Sequence, residues 1–293
     1  MSYDLFLSPR SGEIGTTRFA NHFGGRPHYT VAGAQAVYRN EDTGVYFVFE
    51  YAARDADAAN DGPHHPVSLN VNYFRPSFFI REAETEVTAF VQAFDCVAFD
   101  PQINGMGEGE YDAEKLIDGW DYGNALSYQA FLGGNPDRAV HTLPVAALMR
   151  QWAWNRDRRW LQERLGESHF VPKMMTLVAD GQLMTAATWP DAAPIAVPPV
   201  DHFLVMRDEL APSRWFRKDR RPVLIERRAV EALFAKHRDV RPDGLHVLGY
   251  DDAEPPDDVV QFVLDLSATD IEMNGVAPDQ VLDRELVEKF RPA

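Results

Sequence analysis

The sequence predicts an α+β chain, and three observations carry that reading. Short apolar runs that alternate with polar residues are interleaved with segments of helical period. Two polar, glycine-ended turns sit between β-rich runs. Apolar residues make up 45% of the chain, ample material for packed cores. At 293 residues the length favours two domains.

Taken in order, Tyr3 to Leu7 reads as a first strand. Thr16 to Phe23 places Phe19, His22 and Phe23 at helical spacing, and Gly24-Gly25 stops the helix. Gln35 to Arg39 and Val45 to Tyr51 flank Asn40-Glu41-Asp42-Thr43-Gly44, a hairpin pattern. Ala52 to Pro66 has no apolar period and reads as a loop. Val67 to Phe74 alternates as a half-buried strand. Arg81 to Phe94 puts Ala83, Val87, Phe90, Val91 and Phe94 on one helical stripe, with Glu82, Glu84 and Glu86 in the early turns that favour anions. Val97 to Phe99 closes the unit. The order predicts a ferredoxin-like N-terminal domain over 1–105 with one extra or split strand.

Residues 106–142 are glycine-rich and acidic at first and aromatic later, which predicts a linker. The remaining residues, 143–293, read as a second α+β domain. Leu143 to Leu165 is the longest helical segment, with Leu148, Trp152, Trp160, Leu161 and Leu165 expected on its buried side and five arginines on its polar one. Met174 to Ala179 and Leu183 to Trp189 flank Asp180-Gly181, a second hairpin. Phe203 to Met206, Val223 to Ile225, Leu245 to Leu248 and Val259 to Leu266 read as strands, and Arg227 to His237 and Arg284 to Phe290 as helices.

The formal charge is −16, distributed as −11 over 1–142, +4 over 143–250 and −9 over 251–293. Such a balance repels phosphate backbones and steers basic proteins, so no nucleic-acid partner is expected. The first residues lack a secretory signal, no run of eighteen apolar residues offers a membrane span, and a single cysteine, Cys96, permits no internal disulfide. A soluble, cytoplasmic protein is the expectation.

Chemistry-bearing motifs are sparse. Neither G-x-S-x-G, a P-loop, G-x-G-x-x-G after a strand, nor H-E-x-x-H occurs. Gly105-Met106-Gly107-Glu108-Gly109 resembles a phosphate loop only superficially, because the carboxylates around it repel phosphate. Asp61, His64 and His65 lack a further ligand at metal-site spacing, and Cys96 reads as a buried small residue. Arg214 to Arg221 interleaves bases with Trp215 and Phe216, a pattern better matched to acidic protein surfaces than to nucleic acid in so acidic a chain. No catalytic residue, cofactor or metal is therefore expected. What remains is Glu108, Glu110, Asp112, Glu114, Asp118 and Asp121 beside Trp120 and Tyr122, a partner-binding segment of steering charge and aromatic anchors.

Tyr3 to Leu7 followed by Gln35 to Phe47 resembles the opening of uncharacterised bacterial proteins of secreted-toxin loci, where small acidic proteins serve as immunity factors. The resemblance covers the first third of the chain. It implies a protein-binding inhibitor that neutralises a basic toxin domain, and assigns no residue a role. The alternatives are an enzyme with an unfamiliar carboxylate-based site and an adaptor component of a bacterial assembly.

Overall fold

The computed structural model describes every residue except 54–63, 136, 215–216, 251–253, 269–270 and 292–293. The expected loop at 52–66, with Asp61, and Trp215 and Phe216 of the basic stretch thus fall wholly or partly outside the described residues. The chain divides into two compact units, Met1–Leu148 together with Asp279–Ala293, and Met149–Pro278. Both are α+β.

In chain order the first unit contains β1 (Ser2–Pro9), α1 (Thr16–Phe23), β2 (Tyr29–Ala32), β3 (Gln35–Arg39), β4 (Tyr46–Tyr51), β5 (Val67–Asn72), α2 (Phe78–Phe94), β6 (Cys96–Asp100), β7 (Gly107–Glu110), α3 (Ala113–Gly133) and β8 (His141–Leu143). The division falls within α4 (Val145–Leu165). The second unit continues with β9 (Met174–Ala179), β10 (Gln182–Pro190), β11 (Ile195–Ala196), β12 (His202–Met206), β13 (Ser213–Arg214), β14 (Arg217–Lys218), β15 (Val223–Glu226), α5 (Arg227–His237), β16 (Arg238–Val240), β17 (His246–Leu248), α6 (Asp257–Asp265) and β18 (Met273–Val276). The chain ends with β19 (Val281–Asp283) and α7 (Arg284–Phe290), both of the first unit.

Seven antiparallel strands in the order β2-β3-β4-β5-β1-β6-β7 form the sheet of the first unit. Strict alternation buries Tyr3, Leu5 and Leu7 of β1 on one face. There Phe23 of α1 and Phe49 of β4 stack on Phe90 of α2, with ring centroids 5.7 and 5.5 Å away. Each such ring removed from water contributes about 1.5–3 kcal/mol.

Helix α2 starts three residues earlier than its charge pattern predicts, and its first turn holds no acid. Glu82 is buried instead, accepting hydrogen bonds from Tyr38 (2.7 Å), Asn40 (2.8 Å) and Thr43 (3.0 Å), so it fastens the β3–β4 hairpin to the helix. The carboxyl group at the start of α2 comes from far along the chain. Asp283, at the end of β19, accepts from the Ser77 backbone N–H at 3.0 Å, and β19 itself runs parallel to β8.

The expected linker over 106–142 is replaced by structure: β7 is the last strand of the sheet and α3 is a 21-residue helix. The domain division read at 105 and 142 therefore moves to 148 and 278, with residues 279–293 joining the first unit.

In the second unit five strands pair in the order β15-β12-β10-β9-β18, with β10 and β12 parallel and the rest antiparallel. The Asp180-Gly181 turn has φ of +49° and +74°, as a tight two-residue hairpin requires. Val230 and Phe234 of α5 and Val259 and Val263 of α6 join Trp189 and Phe203 in the core. Val259 to Leu266, expected as a strand, lies mostly in α6. Pro256 precedes this helix, Asp257 and Asp258 occupy its first turn, and the valines four apart give it a helical face. Trp160 of α4 is another correction: it is 57% exposed, beneath the guanidinium of Arg164. Among the described residues no helix is long and apolar enough to cross a membrane.

Candidate functional site

The acidic segment is organised by α3. Asp112 caps the helix, its carboxylate accepting from the N–H groups of Glu114 (3.0 Å) and Lys115 (3.1 Å). One turn apart, Gly119 and Gly123 let the helix settle against Tyr3 and Tyr73. A Cβ on Gly123 would lie 2.2 Å from the Tyr73 hydroxyl oxygen. Leu116, Trp120, Ser127, Tyr128 and Leu132 are buried. Glu114, Asp118, Tyr122 and Leu126, spaced four residues apart, stand exposed in one ridge on the outer face. Tyr122 is 42% and Leu126 44% exposed, so the ridge runs from two carboxylates to two large side chains with apolar surface.

The eight residues singled out by sequence are thus divided. Glu108 and Glu110 pair across from Phe99 and Val97 on β6, and so share the sheet face opposite Tyr3 and the helices. Glu110 is bound by Arg10, which holds its carboxyl below the usual carboxylate range. Asp112 is spent on the helix cap. Asp121 is half-buried, 3.6 Å from Arg81, and burial pushes its pKa up against the pull of that guanidinium. Trp120 is fully buried and packs near Tyr73, with ring centroids 6.1 Å apart, so it supports α3 from below and offers a partner no surface. Of the eight, Glu114, Asp118 and Tyr122 remain together on one exposed face. Leu126 completes that face and was missed, although its position four residues after Tyr122 was legible once α3 was recognised as a helix.

The other sequence candidates are structural. His65 stacks on Phe99 at 5.0 Å, lies 2.8 Å from the Ser8 hydroxyl, and has its pKa lowered by burial. The Gly105 turn wraps the Asp100 carboxylate, which accepts from the N–H groups of Gln102 (3.0 Å) and Met106 (3.1 Å) and from the Tyr3 hydroxyl, so an anion already fills that cradle. Burial pushes the Cys96 thiol up to about 11. Around the basic stretch, Asp219 is held by Arg221. Among the described residues no three His, Cys, Asp or Glu side chains are grouped to hold a metal ion. No family model, curated protein or solved structure matches the chain.

Proposed function

We propose that this chain is a protein-binding inhibitor, of the immunity-factor kind, that engages a basic partner in the cytoplasm through the outer ridge of α3. The observation that carries the reading is the ridge itself. Glu114 and Asp118 supply unspent negative charge for encounter, and Tyr122 and Leu126 supply the apolar surface that a partner can cover. A rigid helix face held by Trp120 and Tyr128 from below loses little freedom on binding. In the first unit we also read the antiparallel core β4-β5-β1-β6, with α1 and α2 on one face, as ferredoxin-like, extended by β2, β3 and β7; the strand order supports this.

The test is association, followed in real time, with the protein encoded by the neighbouring gene. Charge reversal at Glu114 and Asp118 should slow association about tenfold or more at low salt, with the deficit shrinking as salt rises. Tyr122→Ala and Leu126→Ala should instead speed dissociation. Equal association rates for wild type and the charge-reversed variant at low salt contradict the proposal.

A further inference from the structure

A pocket of about 420 Å³ opens within the first unit, and its lining includes Phe74, Arg75, Arg138, His141 and Asp279. Positive charge prevails there, although residues 1–142 carry a net charge of −11. Among the described lining residues Asp279 is the one carboxylate, set against two guanidinium groups. Its Oδ2 lies 4.0 Å from Arg75 Nε, beyond hydrogen-bond reach.

Neither arginine is neutralised by the fold. Arg138 is an exposed residue whose guanidinium lies over the Phe74 ring, 5.7 Å from its centroid, and it makes no ion pair among the described residues. Arg75 is held more firmly. Its Nε and Nη2 donate to the Tyr46 hydroxyl at 3.0 and 2.5 Å, and its Nη1 donates to the Phe74 carbonyl at 2.9 Å. These acceptors are uncharged, so they orient the guanidinium and leave its charge for another group.

The backbone that carries Arg75 is itself unusual. Phe74 has φ of +59°, a left-handed conformation that bulky side chains rarely adopt. Buried Asn124 fixes it there. Its Oδ1 accepts from the N–H groups of Phe74 (2.7 Å) and Arg75 (3.2 Å), and its Nδ2 donates to the Arg75 carbonyl (2.9 Å), which also accepts from the Tyr128 hydroxyl (3.2 Å). Strain maintained by four hydrogen bonds places Phe74 and Arg75 on the pocket.

We propose that this pocket binds a small monoanionic carboxylate with a short apolar body. The carboxylate accepts from Arg138 and is drawn by the charge of Arg75, and the body lies against Phe74 and Val140. Two cations and one acid leave a balance of one positive charge, which a monoanion cancels. A phosphate dianion fits less well, because its second negative charge meets Asp279.

The full chain would be titrated calorimetrically in low-chloride buffer with three probes: benzoate, benzyl alcohol, which keeps the ring without the charge, and inorganic phosphate, which lacks the apolar body. Benzoate should bind about tenfold or more tightly than either, and its binding should weaken as salt rises. Arg138→Gln, a change at an exposed residue, should reduce benzoate to the level of benzyl alcohol. Asp279→Asn should tighten benzoate by removing the opposing charge. Equal affinity for benzoate and benzyl alcohol, tighter binding of phosphate, no binding of benzoate at millimolar concentration, or full affinity in Arg138→Gln would each overturn the assignment.

Discussion

Asp283 is fully buried, and burial pushes its pKa from 3.8 up to about 7, even though the backbone N–H and hydroxyl of Ser77 pull the other way. The folded chain therefore keeps a proton that the unfolded chain has already released. Stability from this group is complete below the unfolded value of 3.8 and is lost as pH rises to about 7, on the order of a few kcal/mol. Urea midpoints at about pH 5 and about pH 8 should fall in the wild type, and Asp283→Asn should remove that part of the fall. An unchanged slope in the variant would place the effect elsewhere. Gly123 is the second decisive residue. Gly123→Ala should cost about 1–3 kcal/mol by forcing Tyr73 aside, and Tyr73→Phe in the same chain should restore part of it. Thermal melting of the single and double variants checks this.

At the scale of elements, α3 shows why parts of the chain were legible and others were not. Helices α1, α5 and α7 end where glycine or charge punctuation and apolar spacing place their limits. In α3, Gly119 and Gly123 belong to the glycine-rich stretch that reads as a linker, yet Gly123 is there because Tyr73 comes too close for any side chain. A close approach between distant segments leaves no local signal, so the sequence reads as a linker where α3 lies, and Trp120 reads as a surface anchor although it is buried. Strand β19 and the Asp283 cap failed for the same reason, because their partners lie more than a hundred residues away. In α6 the error was one of period: a short run of valines is compatible with strand and helix alike, and Pro256 with two aspartates decided it. Within α3 the roles of its acids should separate. Asp112→Ala should cost about 1 kcal/mol of stability and leave partner association unchanged, whereas Asp118→Lys should do the reverse. Chemical denaturation paired with association rates distinguishes them.

For the whole molecule, Asp279–Ala293 belong to the first unit, so its folding needs a segment that follows the second unit in the chain. A chain ending at Pro278 should lose the β8–β19 pair and the α2 cap, and should melt earlier than the full chain in its first unit. Hydrogen exchange of the α2 and β1 amides, followed on heating, reports on that unit. The central claim, that the outer ridge of α3 is the binding face, is tested most directly by hydroxyl-radical footprinting of the full chain with and without the neighbouring gene's product. Tyr122 and Leu126 should lose reactivity in the complex while Trp160 and Ile103, which are also exposed, keep theirs. Unchanged reactivity at Tyr122 and Leu126 in a complex that has demonstrably formed would contradict it.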